Sequence, residues 1–183
     1  MNRPRNRPVC TVGHSTRTLD EFVELLRAGR VDLLVDIRST PRSRTNPQYN
    51  LDTLPESLAR WQIGHLRIEE LGGRRRKSTT VPSEVNAFWT NQSFHNYADY
   101  ALSAQFRRGL DQLMDLAGER RCAIMCSEAV WWRCHRRFVA DYLLDAGWEV
   151  LHLMGRDRVE AAKMTPAARS VDGALVYPAA KSA

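Results

Sequence analysis

The chain has 183 residues, the length of one ordinary domain, and 43% of them are hydrophobic, enough to bury a core. With 26% charged and 8% aromatic residues the composition is globular, which excludes wholesale disorder. No apolar run approaches the ~20 residues that span a bilayer, so no membrane partner is expected.

The formal net charge is +6. Only Lys77, Lys163 and Lys181 are lysines, so the charge is carried by guanidinium groups, which grip phosphate and carboxylate in a planar, two-pronged way. Arginine-rich codon usage accounts for the same composition, so a basic surface for nucleic acid stays an open reading.

Residues 1 to 8 read as a basic arm with no apolar stretch behind it, so no secretory signal is expected. Cys10, Cys122, Cys126 and Cys134 form no C-x-x-C pair. They do not read as a disulfide framework, and a cytosolic chain with reduced thiols is expected.

In chain order, Val9 to Gly13 reads as a short apolar strand. Thr18-Leu-Asp-Glu21 is a capping-box pattern opening a helix that buries Phe22, Leu25 and Leu26 and ends at Gly29. Val31 to Ile37 is nearly all apolar, as in a strand covered on both faces. Ser39 to Asn50 reads as a loop, Leu54 to Trp61 as a helix, and His65 to Ile68 as a third strand. A basic stretch follows from Leu71 to Pro82. Ser93 is expected to cap a helical region that breaks near Ser103. Cys122 to Cys126 is the fourth strand, a helix with Phe138, Val139, Tyr142 and Leu143 inward comes next, and Trp148 to Leu153 is the last strand. Alternation of strands and helices predicts a single α/β domain with a mostly parallel sheet flanked by helices, over residues 9 to 155. Residues 156 to 183 read as a C-terminal tail.

In such sheets ligands sit at the carboxyl ends of the strands. That rule gathers His14 and Ser15, Asp36 and Arg38, and the run Cys126, Ser127, Glu128 onto one rim. The segment Cys126-Ser-Glu-Ala-Val-Trp-Trp-Arg-Cys-His-Arg136 carries the most chemistry. It runs from a buried strand through a loop into a helix, and a helix N-terminus attracts anions and acidifies a nearby thiol. Cys126, Glu128, His14 and His135 are the candidate catalytic groups. Ser15, Asp36, Arg38, Ser127, Arg133, Cys134 and Arg136 are the candidate substrate-binding groups, with Cys134 also placed to resolve a disulfide. Each has a plainer role: Cys126 as a small core residue, Glu128 as an ion-pair partner of Arg133 or Arg136, His14 as a ring held by backbone. Trp131 and Trp132 are expected to pack beneath the loop in at least one case. No cofactor is expected. A metal is not expected either, because the spacing of Cys126, Cys134, His135 and His14 matches no familiar zinc pattern, and neighbouring residues 134 and 135 should diverge at a helix start.

Several segments together resemble the domain-of-unknown-function family 488: Thr-Val-Gly-His-Ser at 11 to 15, Val-Asp-Ile-Arg at 35 to 38, Pro41 with its polar loop, Leu-Gly-Gly at 71 to 73, Phe94 with Tyr97, Cys-Ser-Glu at 126 to 128 and Cys-His-Arg at 134 to 136. The resemblance implies a bacterial cytosolic α/β domain whose motif residues gather near the Cys126 loop. Leu34 to Arg38 and Cys122 to Gly155 also look like the early strand and the catalytic strand–loop–helix of rhodaneses and cysteine phosphatases, with Cys126 at the nucleophile position. In a cysteine phosphatase the arginine lies six residues after the cysteine; here that residue is Trp132, and the loop lacks glycine.

Three functions are expected to compete. The first is an enzyme acting on a phosphate- or sulfur-bearing anion at the Cys126 loop. The second is a nucleic-acid-binding or nucleic-acid-processing protein using Arg74, Arg75, Arg76 and Lys77. The third is a non-catalytic domain that binds an anionic ligand.

Overall fold

The computed structural model describes residues 7–182; residues 1–6 of the expected basic arm lie outside the described part. The strands β1 (Val9–Gly13), β2 (Leu33–Asp36), β3 (Gly64–Arg67), β4 (Cys122–Cys126), β5 (Val150–Gly155) and β6 (Arg158–Ala161) form one sheet in the order β3-β2-β4-β1-β5-β6. The first five run parallel and β6 returns antiparallel along β5. The parallel strands β1, β2 and β4 are buried along their whole length, which explains why they are mostly apolar, with Thr11 and Asp36 the buried polar exceptions among them.

Period-two alternation divides the strands between two cores. Val9, Val35, Ile37, Cys122 and Ile124 face one side, where α3 (Gln92–Tyr100), α4 (Ala104–Glu119) and α5 (Arg136–Asp145) pack through Tyr97, Phe106, Leu110 and Phe138. Cys10, Val12, Leu34, Ala123 and Met125 face the other, against α1 (Leu19–Ala28) and α2 (Leu54–Ala59) through Phe22, Leu26, Leu54 and Leu58. Thr18 and Glu21 make the reciprocal capping box that opens α1. Ser103 caps α4, as its sequence suggests. The cap of α3 is Asn91, not Ser93: the Asn91 side chain accepts from the Phe94 N–H, and Ser93 is absorbed into the first turn.

Beyond residue 155 the chain adds three short strands, largely exposed, and returns to the core at Leu175 and Tyr177. After β6, a hairpin of β7 (Arg169–Val171) and β8 (Ala174–Val176) leads to Tyr177, which is fully buried and donates its hydroxyl to Asp141 on α5.

β1 and β4 are neighbours, yet the helix after β1 covers one face and the helix after β4 covers the other. The chain therefore parts at the carboxyl ends of these two strands, the switch point at which open parallel sheets hold ligands. Gly13 is required there. The Glu128 carbonyl crosses so close over β1 that any Cβ at position 13 would collide with it. His14 and Ser15 extend this contact by donating their N–H groups to the carbonyls of Cys126 (2.9 Å) and Ser127 (3.0 Å).

Candidate functional site

Asp36 and Arg38 project from the end of β2 as one unit. Arg38 Nε and Nη2 donate to the two carboxylate oxygens of Asp36 at 2.9 and 2.6 Å, and Nη2 also donates to the Tyr49 carbonyl at 2.7 Å. Both residues are buried. Burial pushes the Asp36 carboxyl up, but hydrogen bonds from Arg38 and His65 outweigh it and hold the group at about 2. His14 stacks on Tyr49, with ring centres 4.2 Å apart, and donates from Nδ1 to the Ser15 carbonyl at 2.8 Å. Its Nε2 is left to face Arg38 Nη1 at 3.4 Å. Burial and the nearby guanidinium hold His14 neutral, so it serves here as an acceptor that fixes Arg38.

The second group forms where β4 meets α5. Cys126 ends the strand, a short 3-10 turn spans Trp131–Arg133, and Cys134 and His135 enter α5. His135 Nε2 donates to the Ile37 carbonyl at 2.9 Å. That bond fixes the ring, so Nδ1 is the nitrogen that faces both sulfurs: Cys134 Sγ at 3.6 Å and Cys126 Sγ at 3.9 Å. The expectation that residues 134 and 135 diverge is therefore corrected. They sit on the turn that precedes the helix, where adjacent side chains can converge. Cys126 is held well below the usual thiol range by the hydrogen bond from Cys134 and by His135 and Arg136, against a burial cost. Burial pushes Cys134 the opposite way, so a proton shared by the pair resides on Cys134.

Arg136 is buried, donates to the Glu128 carbonyl at 2.8 Å, and has no carboxylate within ion-pair distance among the described residues. It props the loop from beneath and is not among the residues that line the cleft above it. The Glu128 carboxylate has no partner among the described residues, so the ion pair with Arg133 or Arg136 does not form. Trp131 is packed, stacking on His152 at 4.5 Å and donating to Glu160, while Trp132 is exposed.

A cleft of about 240 Å³ opens over the sulfurs, lined by Arg38, Arg74, Cys126, Ser127, Glu128, Arg133, Cys134 and His135. It continues past Arg38 and Glu128 into a second hollow of about 490 Å³ that holds His14, Ser15 and Arg42. Four arginines face this space against one carboxylate. The basic run at 74 to 77 does not present one patch. Arg74 lines the cleft, Arg75 folds back onto the Tyr100 ring and the carbonyls of Glu69, Glu70 and Gly72, and Arg76 faces a different hollow.

Several residues escape sequence reasoning. Gly73 lies against the His135 ring so closely that a Cβ would strike Nδ1, which explains the glycine in Leu71-Gly72-Gly73. Tyr49 clamps Arg38 through its carbonyl and His14 through its ring. Arg42 was hidden in an unpatterned loop. The only signals were the paired glycines and a lone tyrosine between prolines and polar residues.

Searches of the curated proteins and of the solved structures give no match. Nothing in these comparisons connects the chain to rhodaneses or cysteine phosphatases. The sequence model of one family matches residues 18–143, well over half of the chain and from α1 through most of α5. The chain thus belongs to the family described as Domain of unknown function DUF488.

Proposed function

We propose that this chain is an enzyme acting on a small phosphate- or sulfur-bearing anion, with the reaction carried out at the sulfur–imidazole cluster on the cleft floor. One observation carries the reading. Arg74 and Arg133, which have no carboxylate partner among the described residues, open over the same space as Cys126, Cys134 and His135. Guanidinium groups there can grip an oxyanion in a bidentate manner. Arg38 is different in kind: locked by Asp36, Tyr49 and His14, it offers a fixed positive edge that needs no reordering when a ligand arrives. Among the described residues Glu128 is the only carboxylate on this lining and has no partner, which suits a group that moves protons.

Titration with inorganic phosphate and sulfate, read by tryptophan fluorescence, tests the binding half. Wild type should bind, and Arg74→Ala with Arg133→Ala should weaken binding roughly tenfold or more, the worth of a lost charge-assisted hydrogen bond. A wild type that binds neither anion, or a double variant that binds equally well, overturns the reading. Turnover of chromogenic phosphate and sulfate esters tests the other half. It should be lost in Glu128→Gln while phosphate binding stays. A protein that binds the anions and turns over no ester is a binding domain instead.

A further inference from the structure

We propose that Cys126 Sγ, Cys134 Sγ and His135 Nδ1 form a three-donor site for a thiophilic divalent metal ion, zinc foremost, whose fourth position opens into the arginine-lined cleft. The inference deepens the enzyme reading above and rests on it for the identity of the cleft.

The donor geometry comes first. The three atoms lie within 4.8 Å of one another, with the nitrogen 3.6 and 3.9 Å from the sulfurs. A tetrahedral zinc with bonds of about 2.3 Å to sulfur and about 2.0 Å to nitrogen needs S···N edges of about 3.5 Å and an S···S edge of about 3.8 Å. Small rotations about the side-chain bonds therefore complete the site without moving the backbone.

Three further observations point the same way. His135 gives its Nε2 proton to the Ile37 carbonyl, the outer hydrogen bond that orients a metal-binding imidazole and leaves the other nitrogen free to coordinate. The Arg136 N–H donates to Cys134 Sγ at 3.5 Å, the kind of bond that steadies a coordinated thiolate. The Arg136 guanidinium is buried without a carboxylate among the described residues, and its Nε has no hydrogen-bond partner among them. Two thiolates beside it supply the negative charge that such a cation requires.

Two sulfurs and one imidazole select zinc-like ions over magnesium or calcium, which demand oxygen. A set of three protein donors is also the count found where zinc does chemistry, since structural sites close with four. All three donors line the cleft, and the Glu128 carboxylate stands on the same lining outside the donor set. The bound ion would supply a Lewis acid and a water of lowered pKa next to the arginines that hold the anion.

The test begins with metal content of the purified chain by mass spectrometry, followed by chelator treatment and titration with Co²⁺. Close to one zinc per chain is expected. The stripped protein should take up one Co²⁺ with the intense thiolate-to-metal absorption and tetrahedral visible bands of a sulfur-ligated ion. Cys126→Ser, Cys134→Ser and His135→Asn should each lose the zinc or weaken it at least tenfold, whereas Cys10→Ala, in the opposite core, should keep it. Wild type without bound zinc and without the cobalt bands overturns the proposal, and that result depends on no variant folding. Metal retained in full by the Cys126→Ser, Cys134→Ser double variant overturns it as well. Phosphate titration of the stripped protein reports on the arginines separately. Phosphate binding without any metal uptake leaves the cleft reading standing and rejects the metal site. Metal uptake without phosphate binding does the reverse.

Discussion

Cys122 and Cys126 stand at the two ends of one strand, four residues apart and on the same side of the sheet, yet they are chemically opposite. Cys122 is 1% exposed in the α4 and α5 core, and burial pushes its thiol up to about 12. Cys126 is nearly as covered at 9%, but Cys134, His135 and Arg136 hold it well below the ordinary thiol range. Burial alone does not decide what a cysteine does. The difference comes from where the strand ends: the amino end of β4 meets hydrocarbon, and the carboxyl end meets a turn that supplies an imidazole, a second thiol and a buried cation.

The sharpest way to break that comparison is alkylation. In chelator-treated protein at neutral pH, Cys126 should react with iodoacetamide at least ~10³ times faster than Cys122, a gap set by the thiolate fractions of the two groups. Peptide mapping of the modified cysteines measures it. Equal rates would show that the Cys126 environment does not acidify the thiol. Added zinc should protect Cys126 and leave Cys122 as it was.

A second comparison sets backbone against side chain. Gly13→Ala should lower stability by about 3 kcal/mol, because the Glu128 carbonyl cannot yield without lifting the loop off β1. Urea unfolding gives the value, and a change within experimental error would show that the loop is free to move. Gly73→Ala should cost less in stability and act instead on the site, by displacing the His135 ring.

The carboxyl rim should also leave a mark on acid stability. The Asp36 pKa is lowered from 3.8 to about 2, so the folded state binds its proton less readily than the unfolded chain does. Its contribution, about 2 kcal/mol, is fully present above the unfolded value and is lost as pH falls from about 4 through about 2. Asp36→Asn should flatten that part of the pH profile in urea unfolding. The smallest effect expected is Cys122→Ser, about 1–2 kcal/mol from placing a hydroxyl in hydrocarbon, with metal and anion binding unchanged.

The fold was legible because its central strands are mostly apolar and its helices open on clear caps, as with Thr18 and Glu21 or Ser103. The α3 cap slipped from Ser93 to Asn91 because two good capping residues lie two positions apart and only packing chooses between them. β6 to β8 left no signal, being short and mostly exposed. Of the site, sequence placed Cys126, Cys134 and His135 on one loop but not as one cluster. The ring orientation that joins them is set by the Ile37 carbonyl, 98 residues earlier in the chain. No local spacing carries that information.

That same carbonyl ties chemistry to strand register. Ile37 donates its N–H to Met125 and receives the His135 ring on its oxygen, so one residue couples the alignment of β2 against β4 to the aim of the imidazole. Slide β2 by a single position and the carbonyl at that place belongs to a residue whose backbone groups point toward β3 instead of β4, leaving the imidazole without its anchor. The donor trio can exist only in a correctly threaded sheet, which makes it a built-in gauge of whether the chain has finished folding.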